Sequence, residues 1–346
     1  MSGLLLVALV SLIFVVLYQV SRSSEMVARI QGEEAFDRKR NKILAWSMLV
    51  LWAAFMVGIY ACHRYMMPLM GPQAASDHGK TYDFMFMVTL AVTGIVFLIT
   101  QFLLFWFAFK YQRTGDKVPF DFSHSTKLEL VWTTVPAVAM AVLVAIGLKS
   151  WFKMTDAAPK GSMQIEMVGK QFNWISRYPG ADGVLGKRNY TLINDKDNIL
   201  GLDWKDQQNK DDIIIPNGEI HLVKDKPVEL IIGSRDVIHD VGLSHFRLKM
   251  DAVPGITTRL WFTPTITTKE MKEITGNPDF VYEVSCDQMC GKGHYSMRAV
   301  IVVETQAQYD AWMQMQQSYY DQNHAPAAPA AAPASDTTKN ISMNLK

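Results

Sequence analysis

The sequence predicts a set of transmembrane helices followed by an all-β domain. Apolar residues are concentrated in the first 155 positions of the 346-residue chain, whereas most of the Asp, Asn and Gly residues follow. The second part contains short runs of β-branched and aromatic residues that turn residues separate, a pattern typical of a sandwich or barrel. The formal net charge is only +1, so charge gives no support to nucleic-acid binding and we expect no nucleic-acid partner.

Four apolar runs are long enough to cross a bilayer, which takes about 20 residues of helix. They cover residues 3–20, 43–62, 85–109 and 131–151. The first run could instead be a secretory signal, but it lacks a positively charged start and a small-residue cleavage site. The sequence therefore favours four retained spans, the last of which tolerates Pro136.

The loops between these runs set the orientation. Lys and Arg number six in residues 21–42 and four in residues 110–130, against two in residues 63–84. Because Lys and Arg mark the cytoplasmic side, we expect the first and third loops inside. The N-terminus and everything after residue 155 then lie outside.

The outer half of the chain has the pattern of a β domain. Runs typical of strands lie at 163–168, 227–232, 259–264, 280–284 and 298–304. Residues 181–212 are polar and have the composition of a surface insertion, and residues 306–320 have that of a short terminal helix. From residue 321 the chain is rich in Ala and Pro, which predicts a disordered tail.

These patterns divide the chain into four predicted domains. They are an N-terminal helix pair with a cytoplasmic loop (1–62), a transmembrane hairpin (85–151), an extracytoplasmic β domain with the insertion (156–320) and the tail (321–346).

One segment of the β domain concentrates metal-binding side chains. Residues 286–297 read Cys-Asp-Gln-Met-Cys-Gly-Lys-Gly-His-Tyr-Ser-Met. Thiolate, imidazole and thioether are the soft ligands that select copper, whereas calcium and magnesium prefer oxygen. Gly291 and Gly293 allow the tight turns that bring several side chains of one loop together. The segment therefore predicts a copper site between two strands.

Other uses of the cysteine pair fit the spacing less well. A zinc ribbon needs two C-x2-C pairs, an attached haem needs C-x-x-C-H, and a thioredoxin-like site needs C-x-x-C. The chain has three cysteines, of which Cys286 and Cys290 form a single C-x3-C pair. A structural disulfide between them stays an alternative, although it leaves His294 and Met297 without a role.

The segment resembles the C-x-E-x-C-G-x-x-H-x-x-M signature of subunit II of the haem-copper cytochrome oxidases. It matches at Cys286, Cys290, Gly291, His294 and Met297. The family's upstream D-V-x-H and L-K-x-D-x-x-P-G segments match residues 236–239 and 248–255. The resemblance implies a two-helix hairpin and a cupredoxin-like Greek-key β-barrel, to which this chain adds two N-terminal transmembrane helices.

The resemblance also implies a binuclear copper centre, CuA. The implied ligands are Cys286 and Cys290 as bridging thiolates, His239 and His294 as terminal ligands, and Met297 and the main-chain carbonyl of Gln288 as weak axial ligands. Without the family context, His245 is a rival to His239 as the upstream ligand.

The function implied by the resemblance is that of the electron-transfer subunit of a respiratory cytochrome c oxidase, in the bacterial inner (plasma) membrane. The chain would accept electrons from a c-type cytochrome, either free or held in a larger respiratory assembly. It would pass them to haem a of subunit I, where oxygen is reduced and most protons are pumped. The extra helix pair would dock another membrane subunit.

Four positions carry family roles or depart from them. Gln288 replaces a glutamate that reaches a magnesium ion at the subunit I interface, and a neutral amide is a weaker ligand, so magnesium binding is in doubt. Phe172 replaces the Trp that faces the donor, and Trp174 matches a second Trp, although both rings could simply be core. Glu129 matches a glutamate at the mouth of a proton path, but an acid at a helix start could also be only solvated.

Three rival classes share parts of the pattern. A quinol oxidase subunit II has the fold but lacks the copper ligands. A nitrous-oxide-reductase-type copper domain usually belongs to a soluble enzyme with a large propeller. A membrane-tethered copper storage or delivery protein would need neither the hairpin resemblance nor the context of Glu129. The retained ligands and the preceding spans favour the oxidase subunit.

Overall fold

The computed structural model describes residues 2–113 and 123–324. The chain divides into two compact units. One unit is helical and contains the residues up to 71 together with residues 83–149. The other unit contains residues 72–82 and those from 150 onward, and it carries the strands.

Long helices form the N-terminal part of the chain. They are α1 (Ser2–Gln31), α2 (Glu33–Met66), α3 (Asp77–Lys110) and α4 (Thr126–Thr155). Among the described residues, three segments are long and apolar enough to cross a membrane: Glu34–Leu69, Asp77–Lys110 and Thr126–Thr155. These segments contain the second, third and fourth predicted apolar runs. The first predicted run lies in α1, whose crossing of the membrane stays a prediction.

The charged connection between α1 and α2 is shorter than the expected loop. Only Gly32 interrupts the helix there, with a φ of 83° that glycine adopts without a steric penalty. The Glu, Arg and Lys residues on both sides are good helix formers. Both helices therefore continue beyond their apolar runs.

Aromatic side chains pack α2 against α3. Ring centroids lie 5.1 Å apart for Trp46 and Phe109, 5.8 Å for Trp52 and Phe102, and 6.2 Å for Phe55 and Phe97. Residue numbers rise along α2 as they fall along α3, so the two helices are antiparallel. Each such pair contributes about 0.5–1.5 kcal/mol beyond its buried area.

Within the described residues, ten strands form two five-stranded sheets. The strands are β1 (Met163–Lys170), β2 (Asn173–Tyr178), β3 (Ile213–Ile215), β4 (Ile220–Val223), β5 (Val228–Ser234), β6 (His239–Leu243), β7 (Leu248–Ala252), β8 (Thr258–Phe262), β9 (Tyr282–Cys286) and β10 (Arg298–Glu304). The first sheet has the order β3-β2-β1-β5-β8 and the second the order β4-β10-β9-β6-β7. The β1–β5 and β4–β10 pairs are parallel. This curled sandwich, which follows the membrane helices in the chain, confirms the predicted fold class, transmembrane helices followed by a cupredoxin-like β domain.

The core of the β unit lies between the two sheets and follows the alternation of the sequence. In β10, Ala299, Ile301 and Val303 are buried while the side chains between them are more exposed. In β9, Tyr282 and Val284 are buried in the same way. Side chains alternate between the two faces of a strand, so each of these strands buries one face. The predicted strand runs coincide with β1, β5, β8, β9 and β10 to within two residues at either end.

Residues 72–82, between α2 and the apolar part of α3, belong to the β unit. The Ala75 amide donates to the His245 carbonyl at 2.9 Å, and the Thr265 amide donates to the Ala75 carbonyl at 2.8 Å. Ala75 is fully buried. Side chains of the segment add to these contacts, since the Ser76 hydroxyl donates to the Phe246 carbonyl at 2.7 Å and Asp77 Oδ1 accepts from the Thr263 backbone N–H at 3.1 Å.

The insertion at residues 181–212 covers the outer face of the first sheet. Val168 and Ile175 point away from the main core, yet both are buried, because Leu200 and Leu202 of the insertion pack over them. The predicted surface insertion therefore also supplies a second, smaller core.

A buried arginine fastens the insertion to this sheet. The guanidinium of Arg177 on β2 donates to Glu166 Oε2 at 2.9 Å, to Asp212 Oδ2 at 3.0 Å, to Asn209 Oδ1 at 2.9 Å and to the Gly186 carbonyl at 2.6 Å. Burial raises the pKa of Asp212 to about 6, against the opposing effect of Arg177. Buried charges of this kind are stable only while they remain paired.

Within the described residues, three short α-helices complete the β unit. They are α5 (Thr268–Thr275), α6 (Gln306–Gln314) and α7 (Tyr319–His324). The second of them corresponds to the predicted terminal helix. α7 includes residues 321–324, which the sequence assigned to the tail, and the rest of that tail lies outside the described residues.

Candidate metal centre

Three neighbouring strands bring the predicted ligands to one end of the second sheet. β6 begins with His239, β9 ends with Cys286, and β10 begins directly after Met297. Val241 of β6 pairs with Cys286 of β9, and the Cys286 amide donates to the Met297 carbonyl at 3.2 Å. The other ligand candidates lie in the loop between β9 and β10, so the sheet fixes both ends of that loop.

All six residues predicted as ligands come together. The Cys286 Sγ lies 3.8 Å from the His239 Nδ1, 3.8 Å from the Cys290 Sγ and 3.2 Å from the Gln288 carbonyl oxygen, and the Cys290 Sγ lies 3.7 Å from the His294 Nδ1 and 3.9 Å from the Met297 Sδ. The donor atoms of His239, Cys286 and Cys290 lie within 4.8 Å of one another, and all three residues are buried.

This spacing fits metal binding rather than a disulfide. A disulfide holds its sulfurs about 2.05 Å apart, whereas both cysteines here are free. Thiolates bind transition-metal ions at about 2.3 Å and imidazoles at about 2.0 Å, which at near-tetrahedral angles separates two ligand atoms by about 3.5–3.8 Å. The donor set is also the soft one that copper prefers. The residues therefore fit copper, and the alternative disulfide is not formed.

His239 is oriented by a carboxylate. Its Nε2 lies 2.8 Å from Asp236 Oδ1, which leaves the Nδ1 facing Cys286. Such a partner fixes the tautomer and the orientation of a ligand histidine. Burial tends to raise the pKa of Asp236, but hydrogen bonds from the Gln171 amide and from His239 outweigh it and hold that pKa below its ordinary value. A Cβ at position 169 would come within 2.7 Å of the imidazole, so Gly169 is needed for this close packing.

Gln171 and Phe172 lie directly on the ligand loop. The Gln171 Nε2 donates to the Cys290 carbonyl at 2.7 Å. The Phe172 ring packs over the backbone of Gly291 and Gly293, where an added Cβ would come within 3.2 Å and 2.5 Å of ring carbons. Phe172 remains 37% exposed. The two glycines therefore allow a surface aromatic ring to touch the loop that carries Cys290.

The environment of Cys290 disfavours its charged form. Burial, followed by the neighbouring Cys286 thiol, raises the pKa of Cys290 to about 11. The thiolate therefore needs a positive partner at neutral pH. Metal binding supplies that partner and releases a proton.

Acidic side chains lie beside the ligands on β6 and β9. Gly242 allows Asp287 to approach, because a Cβ there would come within 2.3 Å of the Asp287 carboxylate. Burial, and then Asp251, raise the pKa of the adjacent Asp240 to about 6. A side chain at position 242 would therefore displace the exposed Asp287 carboxylate from its present place over β6.

Other candidate residues lie apart from this cluster. His245, the rival ligand, packs against the rings of Phe280 and Tyr282 with centroids 5.0 Å and 5.6 Å away. Trp174 is fully buried, and its ring lies edge-on to His239 at 5.9 Å. Glu129 is in the first turn of α4, within the helical unit.

A β-sandwich that joins membrane helices and gathers cysteine, histidine and methionine defines a membrane-anchored cupredoxin-like protein. Two family models match the chain: the transmembrane domain of cytochrome c oxidase subunit II over residues 64–152, and the periplasmic domain of the same subunit over residues 163–305. The chain therefore belongs to the cytochrome c oxidase subunit II family, as its motifs predicted.

Curated relatives of the chain belong to the same family. The chain is 32% identical to the alternative cytochrome c oxidase subunit 2 of Bradyrhizobium diazoefficiens over 232 residues, which is 67% of this chain and 79% of that protein. It is 25% identical to cytochrome c oxidase subunit 2 of Cereibacter sphaeroides over 274 residues, 76% of this chain and 84% of that protein. The crystal structure of the periplasmic domain of subunit II of cytochrome oxidase from Bradyrhizobium japonicum is 23% identical, covers 46% of this chain and 95% of that one, and has a TM-score of 0.30.

Family membership fixes several general properties. The chain is a subunit of a haem-copper oxidase, and that complex includes subunit I as a partner. It is a membrane protein whose β domain faces outward, and the family suggests copper for the cysteine and histidine cluster. The matched regions begin at residue 64, so α1 and nearly all of α2 precede them.

Proposed function

We propose that the β domain holds a binuclear copper centre and serves as the electron-transfer subunit of a cytochrome c oxidase in a bacterial inner membrane. The observation that supports this proposal is that two thiols, two imidazoles, a thioether and a carbonyl converge. The distances from the two cysteine sulfurs to each other and to the other donor atoms are 3.2–3.9 Å. Cys286 and Cys290 would hold the ions through their thiolates, and His239 and His294 through their imidazoles. Met297 and the Gln288 carbonyl would be weaker ligands.

The copper pair supplies a one-electron carrier whose charge is shared by both ions. The protein contributes rigidity, because ligands fixed by strands and by hydrogen bonds change little when the charge changes. Asp236 and Gln171 act in this way on His239 and on the Cys290 backbone. No side chain of this site has to donate or accept a proton for the electron to pass.

The electron donor is proposed to be a c-type cytochrome, free in the periplasm or held in a larger respiratory assembly. Phe172 is where it docks, because this ring is both exposed and in contact with the ligand loop. Haem a of subunit I would receive the electron, and oxygen reduction and proton pumping would take place in that subunit. Glu129 is proposed to stand at the start of a proton path into subunit I.

The proposal is tested by metal analysis and electron paramagnetic resonance of the purified complex. We expect two coppers in the β domain and the hyperfine pattern of one electron shared by two equivalent copper nuclei. His239→Ala should abolish that pattern, whereas His245→Ala, the matched control, should keep it. A single copper, a zinc ion, or a pattern that depends on His245 would contradict the proposal.

A further inference from the structure

One carboxylate of the insertion binds two basic residues that directly precede Gln171 and Asp236, the residues that support the ligands. The Asp195 Oδ1 accepts hydrogen bonds from the Lys170 Nζ at 2.8 Å and from an Arg235 guanidinium nitrogen at 2.9 Å. Lys170 ends β1, and Arg235 follows directly on β5, its parallel neighbour. The Arg235 amide also donates to the Gly169 carbonyl at 2.9 Å. One side chain of the insertion thus joins the ends of two neighbouring strands.

Both strand ends continue directly into residues that support the ligands. After β1 comes Gln171, whose side chain donates to the Cys290 carbonyl at 2.7 Å. After Arg235 comes Asp236, which lies 2.8 Å from the His239 Nε2. The backbone N–H of Gln171 donates to Asp236 Oδ2 at 2.7 Å and so connects the two supporting residues. A shift of either strand end would therefore displace Cys290 or His239.

We propose that Asp195 is a positioning residue for the metal centre, a role that rests on the proposed copper function. Its carboxylate holds the two strand ends together and compensates the positive charges of Lys170 and Arg235. It acts on the ligands through Gln171 and Asp236, and it does not touch the metal. The insertion is then a part of the functional site as well as a cover for the first sheet.

The exposure of Asp195 and Arg235 sets the size of the effect expected when Asp195 is replaced. The Asp195 side chain is 65% exposed, and exposed ion pairs contribute little to the stability of a fold. The Arg235 side chain is only 12% exposed, so its charge is poorly screened once the carboxylate is lost. Positive charge left on Arg235, next in the chain to the Asp236 that orients His239, would favour the reduced, less positive form of the proposed centre. Loss of Asp195 should therefore raise the reduction potential without unfolding the domain.

The test compares Asp195→Asn with Asp197→Asn in the intact oxidase complex. Asp197 is an exposed acid of the same insertion that forms no ion pair with the described residues, so its substitution removes the same charge two positions away. We expect Asp195→Asn to raise the reduction potential of the copper centre and to speed copper loss to a chelator about two- to fivefold. Asp197→Asn should change neither, and Asp195→Glu should restore part of both.

The outcomes separate this inference from the proposed function. A wild-type complex that holds no copper in the β domain would remove the proposed function itself. Normal copper in the wild type, with the potential and chelator kinetics of Asp195→Asn equal to those of Asp197→Asn, would overturn only the role of Asp195. A loss of thermal stability without any change at the copper centre would overturn it as well, because it would leave Asp195 a structural residue.

Discussion

Phe172 and Trp174 stand one residue apart in the chain but have opposite environments. Phe172 covers the ligand loop at the surface, whereas Trp174 is buried beside His239. The buried ring of Trp174 cannot contact another protein. We therefore expect electrons to arrive through Phe172, with Trp174 acting as packing for the ligand.

Replacing Phe172 tests this expectation. Phe172→Ala should slow the oxidation of a c-type cytochrome about fivefold or more, because truncating a central aromatic of an interface costs more than about 1 kcal/mol. Rapid-mixing kinetics measure the rate, and the copper spectrum should stay unchanged. Phe172→Trp should restore the rate, and Tyr190→Ala, which alters an exposed aromatic of the insertion, should leave it unaltered. Normal kinetics in Phe172→Ala would mean that electrons arrive elsewhere.

Residue types decide how much of the site could be predicted. Cysteine, histidine and methionine are uncommon together, so their clustering and the family motifs were sufficient to name the six residues that the structure brings together. Gln171 and the pairing of Asp195 were not predicted, because glutamine and aspartate are common at surfaces and their partners lie far away in sequence. Asp236 could have been found, since an acid three residues before a ligand histidine can reach its second nitrogen.

Among the elements, the insertion and α7 form one layer over the first sheet. Tyr319 of α7 is buried, its amide donates to the Asp212 carbonyl at 2.8 Å, and its hydroxyl accepts from the Ile199 amide at 3.3 Å. The Trp204 ring packs against the neighbouring Tyr320 with centroids 5.4 Å apart. The end of the β unit therefore holds the insertion in place.

Loosening this layer should show in proteolysis. Tyr319→Ala removes a buried ring, which costs about 3–5 kcal/mol for large aromatic truncations in cores and less where a site can relax. Trypsin should then cut the insertion, at Lys196 or Lys205, several times faster than in the wild type, as mass spectrometry would show. Asp321→Ala, an exposed position on the same helix, is the control. Equal cleavage in both variants would contradict the coupling of α7 to the insertion.

Residue pattern made five of the ten described strands predictable, but neither the other five nor the burial of the insertion. In β10 every second residue is buried, and the sequence alone shows that period. In the insertion, Ile199, Leu200, Leu202 and Trp204 form one short apolar group within an otherwise polar stretch. Their burial depends on packing against Val168 and Ile175 of the first sheet, which the sequence of the insertion does not reveal.

At the scale of the whole molecule, the membrane topology depends on α1. The apolar run 3–20 contains thirteen Leu, Val, Ile and Phe residues and no Asp, Glu, Lys or Arg. Insertion of such residues is favourable by about 0.3–0.6 kcal/mol each near the bilayer centre. Six Lys and Arg residues follow in the next 22 positions, 21–42, which is typical of a cytoplasmic flank. Both features predict that α1 crosses the membrane as a fourth span.

A reporter at the N-terminus distinguishes the two topologies. With the β domain outside, four spans place the N-terminus outside, whereas the three spans of Glu34–Leu69, Asp77–Lys110 and Thr126–Thr155 alone place it inside. We expect alkaline phosphatase, which is active only outside, to be active when fused before Met1. The same reporter placed after Arg113, in the third loop, should be inactive because that loop is inside in either case. Activity at neither position would show that α1 remains on the cytoplasmic side, and the predicted N-terminal pair would reduce to one spanning helix.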